Sequence, residues 1–240
     1  MFERELSTPD GWRWIYCTNG ANMLDGEQLF DRCFLMNIPE SRIRYENFKR
    51  NLDGFDFGTI QVLSPVKVFN HPDGWCRGSW SHLLSVMTIL LESRYLGYKR
   101  ILVLEDDYEC SPKFSCRVRE FMAHLPKDWH VASFYGIFCK PAETTIKNDH
   151  WKECGRHIGQ QCVAYNIEAM LGHEMPLPLM LMHPNYWERT EIRKEYVMDR
   201  SFTKHAKAVG LNWYITRSNI GKTMRVRSDI HNESGIQDFR

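Results

Sequence analysis

An α/β fold is predicted by three features of the sequence: helical and strand patterns alternate, one strand is apolar on both faces, and that strand runs straight into charge. The helical pattern covers residues 79–97, where Trp80, Leu83, Leu84, Met87, Leu90, Leu91 and Tyr95 recur at spacings of three and four. Ser79 is placed to cap that helix and Gly97 to stop it. Residues 101–104 (ILVL) follow, an aliphatic run of the kind a central, parallel-type strand shows. Helix followed by strand is the α/β rhythm.

The remaining elements are read in chain order. Residues 33–38 (CFLMNI) are a short apolar run suited to a buried strand, after which Pro39, Glu40 and Ser41 open a polar helical segment, SRIRYENFKRNL. Residues 1–32 precede this strand and are taken as an N-terminal extension packed on a single domain of residues 33–240. Residues 114–125 read as helix and 129–135 (WHVASFY) as strand; the polar, aperiodic stretch 137–160 reads as a long loop, a common form of functional lid. Residues 161–166 (QCVAYN) resume as strand and 167–173 as a short helix. Residues 188–209 are helical in part, and 211–216 (LNWYIT) form a last strand before a basic tail.

With 43% hydrophobic and 25% charged residues and a net charge of +1, the chain is neither disordered nor a polyelectrolyte. Charge alone therefore names no partner. The N-terminus, MFERELSTPDGWRWIYC, has no apolar signal core, and no run of uncharged apolar residues is long enough to span a bilayer, which predicts a cytoplasmic protein without a transmembrane segment. Eight cysteines without a CxxC pair predict reduced, mostly buried thiols.

Glu105, Asp106 and Asp107 end the central strand. In open α/β sheets ligands gather at the carboxyl ends of strands. Three adjacent carboxylates repel one another, so a cation or a set of donors must hold them ionised together. Hard oxygen ligands there suit Mg²⁺ or Mn²⁺ shared with a phosphate-bearing substrate. A solvated turn after an edge strand is the plain alternative. A phosphoacceptor receiver domain also ends its first strand in acids, but would start near this strand and end a later strand in a second aspartate; the next candidate, Asp149, lies in the polar stretch.

The segment CRGSWSHLLSVMTILLESRYLGYKRILVLEDDYECSPKF resembles the core of the family 25 glycosyltransferases, the lipooligosaccharide-type galactosyltransferases and their collagen-modifying relatives. Ser81-His82-Leu83 and Leu104-Glu105-Asp106-Asp107 match as they stand, whereas Cys76 and Gly78 occur in swapped order. Looser matches run from MNIPESRIRYENF through HVASFYG, QCVAYNIEAML and YVMDRSF to RVRSDI, covering about residues 33–232 in order.

The resemblance implies a GT-A-like nucleotide-sugar-binding fold with a mixed, mainly parallel sheet flanked by helices. It also implies a metal-dependent, inverting transfer of a sugar to an acceptor hydroxyl. Asp107 is the first metal ligand it suggests, with Glu105 and His231 completing the sphere. Donor contacts fall to Arg42 or Arg44, His82, Glu105 and Asp106, and the general base to Asp199, which could equally cap a helix. From Ser201 to Arg227 there is no acid, and Lys222 and Arg225 are placed to meet a donor diphosphate or a polyanionic acceptor. The acceptor is expected to be a bacterial surface saccharide or hydroxymethylated bases of viral DNA, in a bacterial or virus-infected cell. A nonenzymatic module that binds saccharide or nucleotide-sugar on the same fold is the alternative.

Overall fold

The aliphatic run at 101–104 lies in the middle of a broad sheet. The computed structural model describes residues 2–7, 13–17, 28–37, 42–52, 55–64, 74–136, 138–141, 148–158, 161–171, 206 and 210–223. The strands are β1 (Phe2–Ser7), β2 (Arg13–Cys17), β3 (Arg32–Met36), β4 (Ile60–Leu63), β5 (Arg100–Glu105), β6 (Tyr108–Cys110), β7 (Val131–Ser133), β8 (Phe138–Pro141), β9 (Trp151–Ile158), β10 (Cys162–Asn166), β11 (Trp213–Thr216) and β12 (Gly221–Thr223). The helices are α1 (Arg42–Arg50), α2 (Gly74–Tyr95), α3 (Phe114–Ala123) and α4 (Ile167–Leu171). Ten of the described strands form one sheet in the order β1-β2-β4-β3-β5-β10-β7-β11-β9-β8, and β6 pairs with β12 in a separate ribbon.

Strands β4, β3 and β5 are parallel, as are β7 and β11, while β10 runs antiparallel between β5 and β7. The sheet is mixed, as expected, but its parallel part is confined to these two blocks. The remaining pairings, β1 with β2, β2 with β4, β11 with β9 and β9 with β8, are antiparallel. Within residues 1–32, β1 and β2 thus extend the sheet beyond β4.

Alternation along each strand sorts the core into two layers. One side of the sheet, with Cys33, Leu35, Leu102 and Leu104, packs on Tyr45 and Phe48 of α1 and on Phe114, Val118 and Phe121 of α3. The other, with Phe34, Met36, Ile101 and Val103, packs on Val86, Met87, Ile89 and Leu90 of α2 and on Ile167 and Met170 of α4. The result is a three-layer α/β/α arrangement. All four residues of 101–104 are at most 1% exposed, which is why both of their faces had to be apolar.

Three local expectations are corrected. Helix α2 begins at Gly74, so Ser79 lies inside it rather than capping it. Its buried stripe runs through Ser85, Val86, Met87, Ile89, Leu90 and Ser93, leaving Leu91 53% and Tyr95 89% exposed. Apolar residues surround this helix, so spacing alone could not select the face, and the small Ser85 and Ser93 allow close approach to the sheet. The stretch 137–160 is not a plain loop but contributes β8 and β9; its polar residues suit strands near a sheet edge, and β9 is held by pairing with β11.

The stop of α2 agrees with the sequence. Gly97 has φ +76°, its N–H donates to the Arg94 carbonyl (3.0 Å), and the Tyr98 N–H donates to the Ser93 carbonyl (2.8 Å), a Schellman end. Asp31 Oδ2 then accepts from the N–H groups of Lys99 and Arg100 (2.7 and 2.8 Å), tying the entry of β5 to the start of β3. No helix among the described residues is long and apolar enough to cross a membrane.

Two outcomes are expected. A Cβ at Gly97 meets nothing within 4 Å, so Gly97→Ala isolates backbone strain and should lower stability in urea unfolding by about 1 kcal/mol. Cys33, Cys154 and Cys162 are buried and Cys116 is exposed, and burial pushes the Cys162 thiol well up from its ordinary value. Thiol labelling followed by mass spectrometry should modify Cys116 in the native protein and leave Cys33, Cys154 and Cys162 protected until unfolding.

Candidate active site

From β3 the chain moves to β4 on one side, then returns through α2 to β5 on the other. The strand order reverses between β3 and β5, and their carboxyl ends flank a topological switch point, where open α/β sheets form their ligand crevice. The two ends are in register, with Met36 opposite Glu105 and the Asp106 N–H donating to the Met36 carbonyl (3.2 Å). The acidic cluster therefore stands at the carboxyl ends of two central strands rather than on a solvated edge.

Strand alternation sends the carboxylates to different layers. Glu105 follows Ile101 and Val103 toward α2, where its Oε1 lies 3.4 Å from His82 Nδ1. Asp106 follows Leu102 and Leu104 toward α1: its Oδ1 pairs with Arg44 Nη1 (3.3 Å) and its Oδ2 accepts from Asn37 Nδ2 (2.9 Å). Asp107 is half-buried in the turn between β5 and β6. The repulsion expected of three adjacent carboxylates is relieved because two of them meet partners on opposite faces of the sheet.

Of the two candidate arginines at the start of α1, Arg44 is buried against Asp106, whereas Arg42 is exposed. Lys222 is on β12, paired with Glu109 (2.7 Å) rather than with the strand-end carboxylates named above. Asp199, Arg225 and His231 lie outside the described residues. The sequence carries only a faint signal for Asn37, a polar residue within the apolar run 33–38, and none for Gln161. The Gln161 carbonyl accepts from the Glu105 N–H (2.9 Å), and its Oε1 is buried with no hydrogen-bond partner among the described residues.

Among the described residues no group of three or more His, Cys, Asp or Glu side chains is arranged to hold a metal. Glu105 and Asp107 offer two carboxylates. That donor set fits Mg²⁺ or Mn²⁺, ions bound through one or two carboxylates together with substrate phosphates and water rather than in an all-protein cage.

No protein-family model and no curated protein matches this chain. Solved structures similar to it include A197 from STIV, at 14% identity over 76% of this chain and 79% of that one, with a TM-score of 0.40. Another is a glycosyltransferase involved in the glycosylation of the major capsid of PBCV-1, at 11% identity over 85% and 96%, with a TM-score of 0.39. Likenesses this distant assign no function.

The Arg44–Asp106 pair yields a stability prediction. The two side chains are 9% and 6% exposed, so Asp106→Ala, which strands the guanidinium, should destabilise the fold by about 3–5 kcal/mol in urea unfolding. The double replacement Arg44→Met with Asp106→Leu should recover part of that loss, because two buried charges disappear together while the buried Asn37 amide loses its acceptor.

Proposed function

We propose that the chain is a metal-dependent glycosyltransferase of GT-A type, moving a sugar from a nucleotide-sugar donor to an acceptor hydroxyl. The observation that carries this reading is the position of Glu105 and Asp107 at the switch-point crevice between β3 and β5. The match of Ser81-His82-Leu83 and Leu104-Glu105-Asp106-Asp107 to the family 25 pattern agrees with it.

In this reading Glu105 and Asp107 would hold the divalent cation, which when bound would supply a Lewis acid for the charge of the departing diphosphate. His82 sits beside Glu105 and orients it. Asp106 serves as a positioning residue: with both oxygens occupied by Arg44 and Asn37, it fixes the turn that presents Asp107. The acceptor oxygen forms a bond to the anomeric carbon as the bond to the diphosphate oxygen breaks, and that electron pair leaves with the nucleotide. The acceptor proton passes to a carboxylate base, a step worth about 10²- to 10⁴-fold, with Asp199 as the residue the family pattern nominates. Donor contacts from Arg42 and Arg225 and a third metal ligand from His231 belong to the same proposal, as does an acceptor that is a surface saccharide or hydroxymethylated DNA.

A binding module without turnover is the second reading, favoured by the withdrawal of Asp106 from the crevice into its buried pair. Donor binding without transfer to any member of a broad acceptor panel would select it.

The test is a thermal-shift screen of nucleotide-sugars with and without Mn²⁺. A true donor at a hundred times its Kd should stabilise the protein by about 2.7 kcal/mol. Asp107→Ala should lose the Mn²⁺-dependent part of that shift together with transfer and donor hydrolysis. If no nucleotide-sugar shifts the parent and Asp107→Ala behaves like it, the reading is wrong.

A further inference from the structure

Beyond Asp107 the chain enters the β6/β12 ribbon, in which Lys222 lies opposite Glu109. Between this ribbon, the end of α1 and the start of α3 is a cavity of about 460 Å³, within the range of about 300–1,000 Å³ usual for small-molecule sites. Three cations line it from three separate elements: Arg50 ends α1, Arg117 lies in the first turn of α3, and Lys222 is on β12. Glu109 is the one carboxylate among the lining residues.

The walls are pinned. Arg117 Nη2 donates to Ser218 Oγ (3.0 Å) and to its carbonyl (3.4 Å), fixing the approach to β12. Asn219 brackets Gly136, donating from Nδ2 to its carbonyl (3.2 Å) and accepting its N–H at Oδ1 (3.1 Å). A Cβ at Gly221 would overlap the Tyr108 ring and the Glu109 carbonyl, so the ribbon closes only with glycine there. Ser111, another lining residue, has a buried Oγ without a hydrogen-bond partner among the described residues. A buried hydroxyl left in that state is costly unless something bonds it.

We propose that this cavity binds the acceptor, a saccharide carrying a phosphate or carboxylate; this rests on the glycosyltransferase reading above. Arginine guanidinium groups recognise both anions in bidentate fashion, and Glu109 accepts hydrogen bonds from sugar hydroxyls. Glu109 is two residues from Asp107, at most about 7 Å along the chain, so a sugar held here lies beside the transfer point. A duplex nucleic acid needs cations spread along an extended face. This cavity is bounded and includes a carboxylate, which favours a small anionic glycan. Lys222 accordingly moves from the donor to the acceptor.

Calorimetric titration of the full chain with a hexose phosphate, a hexuronic acid, the neutral hexose, inorganic phosphate and a hydroxymethylated duplex tests this. The two anionic sugars should bind at least roughly tenfold more tightly than the neutral hexose or inorganic phosphate, a difference of about 1.4 kcal/mol. Arg50→Gln with Lys222→Gln, both at exposed positions, should lose that margin while the Mn²⁺-dependent shift with nucleotide-sugar persists. Arg117→Gln, read at a temperature where circular dichroism shows it folded, should do the same. Equal binding of charged and neutral sugars, equal binding of inorganic phosphate, an unchanged double variant, or duplex displacing the sugars would each overturn the proposal. Donor binding with no anionic-sugar binding would sink this inference and leave the transferase reading standing. Anionic-sugar binding without any donor binding would remove the transferase reading and, with it, the acceptor role.

Discussion

The buried contact of Asp106 with Arg44 and Asn37 is the constraint on which the rest of the site depends. It joins three pieces of chain: the end of β5, the residue after β3 and the first turn of α1. Asn37 also donates its N–H to the Leu63 carbonyl (2.9 Å), so the ends of β3, β4 and β5 are tied at one point. Charges this far from water keep their place only when every oxygen is matched. Here that matching sets the direction in which the chain turns after Asp106, and hence where Asp107 stands.

The same contact explains how an apolar strand can end in three acids. Period-two alternation divides the carboxylates between layers, giving one to α1, one to α2 and one to the turn. What reads in one dimension as a dense negative cluster is, in three dimensions, three carboxylates in three settings: Asp106 against Arg44 and Asn37, Glu105 beside His82, and Asp107 half-buried in the turn.

Much of this was legible in the sequence, and the failures have physical causes. Residues 101–104 announced a doubly covered strand because nothing polar interrupts them, and Gly97 announced the end of α2 because a left-handed residue was needed there. The buried face of α2 was not legible, since Leu91 and Tyr95 look as apolar as Val86 and Ile89 and only the sheet decides between them. β8 and β9 were hidden because strands near an edge need partners more than apolar residues. Arg44 could not be told from Arg42 by type; helical phase relative to the core separates them. Arg50, Arg117 and Lys222 are distant in sequence, and only the β6/β12 ribbon and the packing of α1 and α3 bring them around one cavity.

The antiparallel course of β10 has a consequence for how this architecture can change. β7 leaves the sheet at the rim that carries Glu105 and Asp107, and β10, running the opposite way, re-enters at that rim, where the Phe134 N–H donates to the Cys162 carbonyl (3.0 Å). The whole excursion between them begins and ends at that rim. Lengthening or trimming it would reshape the rim without shifting the register of β5 or disturbing Asp106. Sequence change can thus be confined to one segment while the frame around Asp106 is inherited unchanged.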